Sequence, residues 1–478
     1  MKIAFISSEA NPFSKTGGLG DVAYSLSKEL SNDNEVSLII PFYQVSKQKE
    51  GYHFKKVFSF DTYVGWRKKE TDVYLTKVDN ISFYLIDCPY YFSRSNLYGY
   101  EDDGERFAYF TLASLNLIKN LGHFDIIHCN DWQTGMLACL VKEKEKDNPI
   151  FAKTKFIFTI HNPAFMGLFD RYFLNDFYSL PDYLFDNGTL RWNNMVSSFK
   201  AGIVYADKIT TVSPTHAKEL LDPSSKFGLS YVLKLREDDF IGICNGIDEE
   251  EFNPRIDKII KTTYGIKDVT KKKKICKQDL FESCQLQYKD VPTFGFVSRL
   301  SEQKGINLIL DVAREIINKG GAIFALGSGD YVLEKELEDL RREYPENVGI
   351  YIGYSQSFAH KVYAGCDFFL MPSLFEPCGI GQLIALKYGT IPVARRTGGL
   401  VDTIIDYKAN NIDNADGILF NDFNDDGIRY GLYKAMEIYS SPKSLRKIRS
   451  NAMKSDHSWK KSKKEYIALY KLALTKQI

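Results

Sequence analysis

The chain alternates short β-branched apolar runs with longer stretches in which apolar residues recur every three to four positions. That alternation predicts a parallel sheet covered by helices, because crossover helices bury both faces of each strand. Residues 2–7 read as a first strand and 21–30 as the helix after it, with Val22, Leu26 and Leu30 on one helical stripe. Further strands are predicted at 36–40, 125–128, 156–160 and 209–212. The alternating positions at 72–78 predict an inserted hairpin region across 57–87. A second series begins near Phe240 and includes 293–297, 322–326, 348–352, 367–371 and 391–394, each followed by a loop and a helix. Turn formers and acids crowd 245–254, which sets a hinge at about 244–257. The predicted fold class is α/β, with two doubly wound domains at 1–243 and 244–457.

Length supports the division, since 478 residues exceed one ordinary core. With 44% hydrophobic and 26% charged residues the composition is that of a globular protein. Lysine plus arginine (62) nearly cancels aspartate plus glutamate (61), so no global field draws nucleic acid or an anionic membrane. An anionic ligand must therefore be met by local charge. The eight cysteines form no C-x-x-C pair, which points to reduced thiols. No apolar stretch approaches the roughly 20 residues that span a bilayer, and the N-terminal apolar run is short for a signal peptide. A cytoplasmic protein is expected. The basic run at 271–274 reads as a solvated face.

Ligands of open α/β sheets bind beyond the carboxyl ends of the strands, where helix N-termini also point. The candidate residues fall at such places. Lys15-Thr16-Gly17-Gly18-Leu19-Gly20-Asp21 follows the first strand. Asp131 follows the strand ending at His128, and His161 and Asn162 follow 156–160. Arg299 and Lys304 follow 293–297, Glu376 follows 367–371, and Thr397-Gly398-Gly399 follows 391–394. Gly18 to Ala23 fits the G-x-G-x-x-A dinucleotide fingerprint, but Ser8 to Lys15 separate it from the strand, and no acid closes the second strand. Asp21 reads equally as a helix cap or a ligand. Lys15, a cation before glycines where backbone can approach an anion, reads as functional. Arg299 and Lys304 suit a pyrophosphate that gains charge as a glycosidic bond breaks, against the alternative of surface ion pairing. Glu376 could accept hydrogen bonds from sugar hydroxyls. His161, at the end of a buried strand, is drawn toward the site. Cys378 reads as a packed thiol. No D-x-D pair, P-loop or G-x-S-x-G occurs, so metal, P-loop and α/β-hydrolase chemistry have no visible residues.

Together these segments resemble the bacterial glycogen synthases and plant starch synthases, retaining GT-B glucosyltransferases. The resemblance runs from Lys15–Val22 through Asn130-Asp131-Trp132, His161-Asn162 and Asn245-Gly246-Ile247-Asp248. It continues through Ser298-Arg299-Leu300, Gln303-Lys304-Gly305, Phe375-Glu376-Pro377-Cys378-Gly379 and Arg396-Thr397-Gly398-Gly399-Leu400. Departures include Pro163, Met166, Phe252 and Gln133. The resemblance implies two Rossmann-like domains facing a deep cleft, with the donor held mainly by the second. It also implies that a last helix, 458–478, rejoins the first. Arg299 and Lys304 would bind the diphosphate, with Lys15 and Gly18 approaching it from the first domain. Glu376 would hold the donor glucose, His161 would contact the sugar near its reacting carbon, and Tyr354 would lie beside the base. Thr397, Gly398 and Gly399 join the donor group, and Asp21, Asp131, Asn162 and Asn245 the acceptor side. No metal or other cofactor is expected. The implied reaction carries glucose from ADP-glucose to the non-reducing end of an α-1,4-glucan. Three readings compete with it: a UDP-sugar-dependent GT-B enzyme with another acceptor, a pyridoxal-carrying glucan phosphorylase, and a glucan-binding scaffold without turnover.

Overall fold

The structure, a computed structural model, describes residues 1–475; positions 476–478 of the expected last helix lie outside the described residues. The chain forms two compact units. One comprises Met1–Ile243 and the segment from Trp459, the other Cys244–Ser458.

In the first unit the strands are, in chain order, β1 (Lys2–Ile6), β2 (Glu35–Pro41), β3 (Lys55–Val64), β4 (Arg67–Val78), β5 (Ile81–Asp87), β6 (Ile126–Asn130) and β7 (Lys155–Ile160). Then come β8 (Leu168–Phe169), β9 (Arg191–Trp192), β10 (Met195–Ser197), β11 (Lys208–Thr211) and β12 (Phe240–Gly242). Nine of them form one sheet in the order β12-β11-β7-β6-β1-β2-β5-β4-β3, while β8, β10 and β9 form a small separate sheet. The large sheet is parallel from β12 to β5, with Ile3 opposite both Val36 and Ile126. β4 and β3 add on antiparallel, so the predicted hairpin region is the edge of the main sheet. Ile3, Ala4, Phe5 and Ile6 are all fully or almost fully buried, as strands covered on both faces require. The helix Gly18–Ser31 lays Val22, Leu26 and Leu30 against one face, and the helix Trp459–Thr475 buries Trp459, Tyr466 and Tyr470 in the same core. The Tyr470 hydroxyl lies 2.7 Å from His128 Nδ1 and so ties this helix to β6.

The second unit holds one parallel sheet of β13 (Thr293–Val297), β14 (Ala322–Gly327), β15 (Val348–Ile352), β16 (Phe368–Met371), β17 (Ile391–Arg395) and β18 (Ile418–Phe420). Its order is β15-β14-β13-β16-β17-β18. The helix Ile306–Asn318 follows β13 and buries Ile306, Ile309, Val312 and Ile316 over the sheet.

Both orders contain a reversal. From β1 the chain builds one side of its sheet, then returns to lay β6 on β1's other flank; β13 and β16 repeat this. The crossovers after these adjacent strands leave in opposite directions, which opens a crevice at the strand carboxyl ends.

Three expectations need correction. Phe240–Gly242 opens no second series, because it pairs parallel with β11 as the last strand of the first sheet. The first helix begins at Gly18 with Gly17 as its N-cap, so Asp21 sits within the first turn rather than at the cap position. The run 271–274 is not a uniformly solvated face, since Lys273 is buried. Its ammonium donates to the carbonyls of Tyr363 and Ala364 and to Thr390 Oγ1, with Tyr388 O at 3.2 Å. Those carbonyls end the helices Gln356–Gly365 and Gly381–Lys387, whose negative dipole ends converge on the one cation. Burial still pulls the Lys273 pKa down to about 7. No disulfide joins the described cysteines. No helix among the described residues is long and apolar enough to cross a membrane.

Candidate active site

The first cluster surrounds the carboxyl ends of β1, β6 and β7. The chain leaves β1 through Ser7, Ser8 and Glu9, and the Glu9 carboxylate is buried. It accepts the Thr16 N–H (2.9 Å), the Thr16 hydroxyl (2.7 Å) and the Gly20 N–H (3.0 Å), which clasps both ends of the glycine loop. Burial pushes the Glu9 pKa up, and these donors pull it back. Above the clasp Lys15 is exposed and its Nζ meets Asp21 at 2.7 Å. Gly18 is exposed as the first helical residue, where backbone N–H groups lack an intrahelical acceptor.

β6 ends at Asn130, whose Nδ2 donates to Ile6 O at 2.9 Å and thereby sets the amide orientation. Asn130 Oδ1 then faces His161 Nε2 at 2.8 Å. An amide oxygen only accepts, so His161 carries its proton on Nε2 and keeps Nδ1 as an acceptor. Burial pulls the His161 pKa down to about 3, which leaves the ring neutral at physiological pH. Asp131 adopts φ 53° and ψ −176°, a conformation that costs a non-glycine residue about 1–3 kcal/mol and recurs at functional sites. Its carboxylate accepts the backbone N–H groups of His161 (2.8 Å) and Asn162 (3.2 Å). Burial nevertheless lifts the Asp131 pKa to about 7.

The second cluster is built from the loops after β13, β16 and β17, which interlock through their backbones. Leu374 N–H donates to Gln303 O (2.8 Å), the Arg395 guanidinium to Leu374 O (2.7 Å), and Gly399 N–H to Glu376 O (3.1 Å). Two glycines permit this approach. Gly305 has φ 69°, and a Cβ there would lie 2.2 Å from Pro372 O. Gly398 has φ 45°, and a Cβ there would lie 2.0 Å from Glu376 O. Lys304 Nζ consequently reaches Glu376 Oε2 at 2.6 Å, and the Ser373 hydroxyl donates to the same oxygen at 3.1 Å. Glu376 is buried, so its charge is held by two donors away from bulk water. Arg299 is exposed, and its side chain forms no hydrogen bond or ion pair among the described residues. Tyr354 stands exposed at the end of β15. Asn245 is buried, its Oδ1 has no hydrogen-bond partner among the described residues, and its N–H faces Cys378 Sγ at 3.4 Å. Cys378 is packed, and burial pushes its thiol well up.

The structure thus joins Lys304 to Glu376, Asp131 to His161 and Asn162, and Lys15 to Asp21, and it seats Gly398 and Gly399 against the Glu376 loop. It shows no direct contact between Arg299 and Lys304. The sequence reading missed Glu9 and passed over the role of Asn130. Asn130 ends a buried strand and Glu9 lies three residues past one, both beside a switch point, and that position is the signal that could have found them.

Two Rossmann-like units in one chain, each with polar residues gathered at its switch point, match the layout of the GT-B glycosyltransferases. The sequence matches the family of the starch synthase catalytic domain over residues 2–235 and glycosyl transferases group 1 over residues 279–455. It is 39% identical to a glycogen synthase of Anoxybacillus flavithermus over 98% of this chain and 97% of the relative. It is 40% identical to one of Clostridium beijerinckii over 98% and 99%. The catalytic domain of starch synthase IV from Arabidopsis thaliana, solved with ADP and acarbose, superposes with a TM-score of 0.93 at 29% identity, covering 99% of both chains. A sucrose-phosphate synthase from Thermosynechococcus elongatus, at 15% identity and a TM-score of 0.62 over 98% of both chains, shares the fold. The chain belongs to the glycogen synthase and starch synthase family of glucosyltransferases.

Proposed function

We propose that the chain transfers glucose from ADP-glucose to the non-reducing 4-hydroxyl of an α-1,4-glucan, with retention of configuration. The observation that carries the reading is the second cluster: a buried carboxylate held by Lys304, whose loop also carries the exposed Arg299, at a switch point that binds ligands in open α/β sheets. Arg299 and Lys304 bind the diphosphate and stabilise the charge it gains as the C1–oxygen bond breaks. Glu376 accepts hydrogen bonds from the glucose hydroxyls, Thr397, Gly398 and Gly399 line the donor, and Tyr354 stacks beside the base. Lys15 and Gly18 add donors to the diphosphate. The acceptor hydroxyl attacks C1 from the face the diphosphate leaves, and its proton passes to a diphosphate oxygen, so no enzymic nucleophile is needed. His161, neutral, acts near C1 as a hydrogen-bonding group rather than a cation. Asp21, Asp131, Asn162 and Asn245 serve the acceptor side.

The test is incubation with glycogen and either ADP-glucose or UDP-glucose, following release of nucleoside diphosphate and the anomer formed by NMR. ADP release with new α-1,4 linkages supports the reading. Transfer from UDP-glucose alone overturns the donor, and release without chain growth overturns the acceptor.

A further inference from the structure

The reaction proposed above makes no use of Lys273, which the helix Val269–Ser283 buries in the second unit. Two neighbouring cations have an anion: Lys277 and Arg449 both meet Asp367, at 2.6 and 3.0 Å. Lys273 forms no ion pair among the described residues, and three carbonyls and one hydroxyl hold its charge. A buried cation so placed adds little to stability compared with a well-packed apolar residue of its size. What it holds is more telling. Tyr363 and Ala364 precede β16, and Tyr388 and Thr390 precede β17, so its partners lie where the chain enters these strands. Ser373 and Glu376 follow the other end of β16, and Thr397, Gly398 and Gly399 follow the other end of β17.

Two elements run between Lys273 and the donor cluster. β17 has five residues, a span of about 17 Å. The helix Gly381–Lys387, about 10 Å long, leads from the Glu376 loop back to Tyr388. At its start Gln382 Nε2 donates to Cys378 O (2.9 Å) and to Thr403 Oγ1 (3.1 Å), and the Thr403 hydroxyl donates to Gly399 O (2.6 Å). The Glu376 loop is thus fastened both to this helix and to the segment after β17. At the far end the Lys273 ammonium reaches Thr390 Oγ1 at 2.6 Å, and the Thr390 hydroxyl in turn reaches Tyr363 O and Cys366 O. One cation therefore closes a frame of two strands and the helix between them.

We propose that Lys273 is a positioning residue for glucosyl transfer: by pinning the entries of β16 and β17 to each other, it sets the spacing between Glu376 and Thr397-Gly398-Gly399 at their exits. The inference rests on the glucosyl-transfer reading, in which those segments hold the donor glucose. Arg299 and Lys304 follow β13, to which Lys273 makes no hydrogen bond among the described residues. Loss of Lys273 therefore shifts the partners of the sugar and spares those of the diphosphate.

The test uses the full chain with Lys273→Met, which keeps the side-chain length, and with Thr390→Val, which keeps the shape and removes the hydroxyl. Circular dichroism checks that each variant is folded. In Lys273→Met, kcat with ADP-glucose and glycogen is expected to fall about tenfold, the scale of a sub-ångström misplacement, with ADP affinity kept within about twofold. Thr390→Val should lose about threefold in kcat, again with ADP affinity kept. Amide exchange read by mass spectrometry should quicken in 373–380 and 396–400 and stay as it is in 299–305. Normal kcat in folded Lys273→Met overturns the proposal, as does an equal loss of kcat and ADP affinity. If Lys273→Met does not fold, Thr390→Val decides, and unchanged kcat and exchange there overturn the proposal. If the unaltered chain transfers no glucose, the transfer reading fails, and unchanged exchange in 373–380 and 396–400 still overturns the positioning role by itself.

Discussion

The two switch points are assembled from opposite materials. In the first unit the groups around the ends of β1, β6 and β7 are largely neutral or neutralisable, with His161 held uncharged by burial, Asp131 lifted to about 7 and Glu9 raised and wrapped in N–H donors. The Lys15–Asp21 ion pair alongside them stays partly exposed. In the second the groups are charged, with Lys304 on Glu376 and Arg299 reaching solvent. A departing diphosphate needs positive charge that is already oriented, and a sugar and its acceptor need hydrogen bonds of fixed direction. On the proposed reading, the two similar units differ at their switch points in electrostatic character more than in strand order.

The sharpest break removes a cation from the second cluster. Lys304→Ala or Arg299→Ala is expected to lower kcat by about 10²- to 10³-fold with ADP-glucose and glycogen, the scale of one lost electrostatic stabiliser. Normal turnover by either folded variant would contradict the division. Next comes the scaffold beneath the charges. Gly398→Ala puts a Cβ 2.0 Å from Glu376 O and should cost about 10²-fold in kcat by shifting the Glu376 loop, measured beside circular dichroism to show that the fold survives. In the first cluster, Glu9→Ala unclasps the glycine loop and is expected to lower kcat/KM for the donor about tenfold, with Glu9→Gln intermediate.

A smaller effect falls on stability. A carboxyl whose folded pKa is raised from 3.8 to about 7 keeps its proton in the folded state after the unfolded chain has lost it, so Asp131 drains stability as pH rises from about 4 to 7. Asp131→Asn removes that drain. Its unfolding midpoint at pH 8 should rise by about 3 °C, with a smaller gain at pH 5, while activity falls. Equal shifts at both pH values would show that burial is not what perturbs this group. Finally, since the diphosphate charge is assigned to side chains, EDTA should leave the rate unchanged.

Much of the fold was legible because β1 and β14 are nearly continuous apolar runs, and because Val22, Leu26 and Leu30 keep a helical period. The elements that escaped are those too short to carry a period, such as Phe240–Gly242 and the two- and three-residue strands β8, β9 and β10. The helix start was misplaced because Asp21 looks like a cap, while its charge is taken up by Lys15. Lys273 escaped because a run of lysines is ordinarily solvated, and only the converging ends of two helices make its burial tolerable. The strand-end positions of Arg299, Lys304 and Glu376 could be read from spacing alone. That Gly398 backs onto Glu376, or that Asn130 sets the tautomer of His161, depends on contacts between segments distant in sequence.

In the proposed reaction, positive side chains after β13 hold the diphosphate. Calorimetric titration of ADP and of adenosine into the full chain and into Arg299→Ala tests it most directly. ADP binding is expected to weaken about tenfold or more in the variant with adenosine binding little changed; equal ADP affinity in the two proteins would rule out a diphosphate role for Arg299.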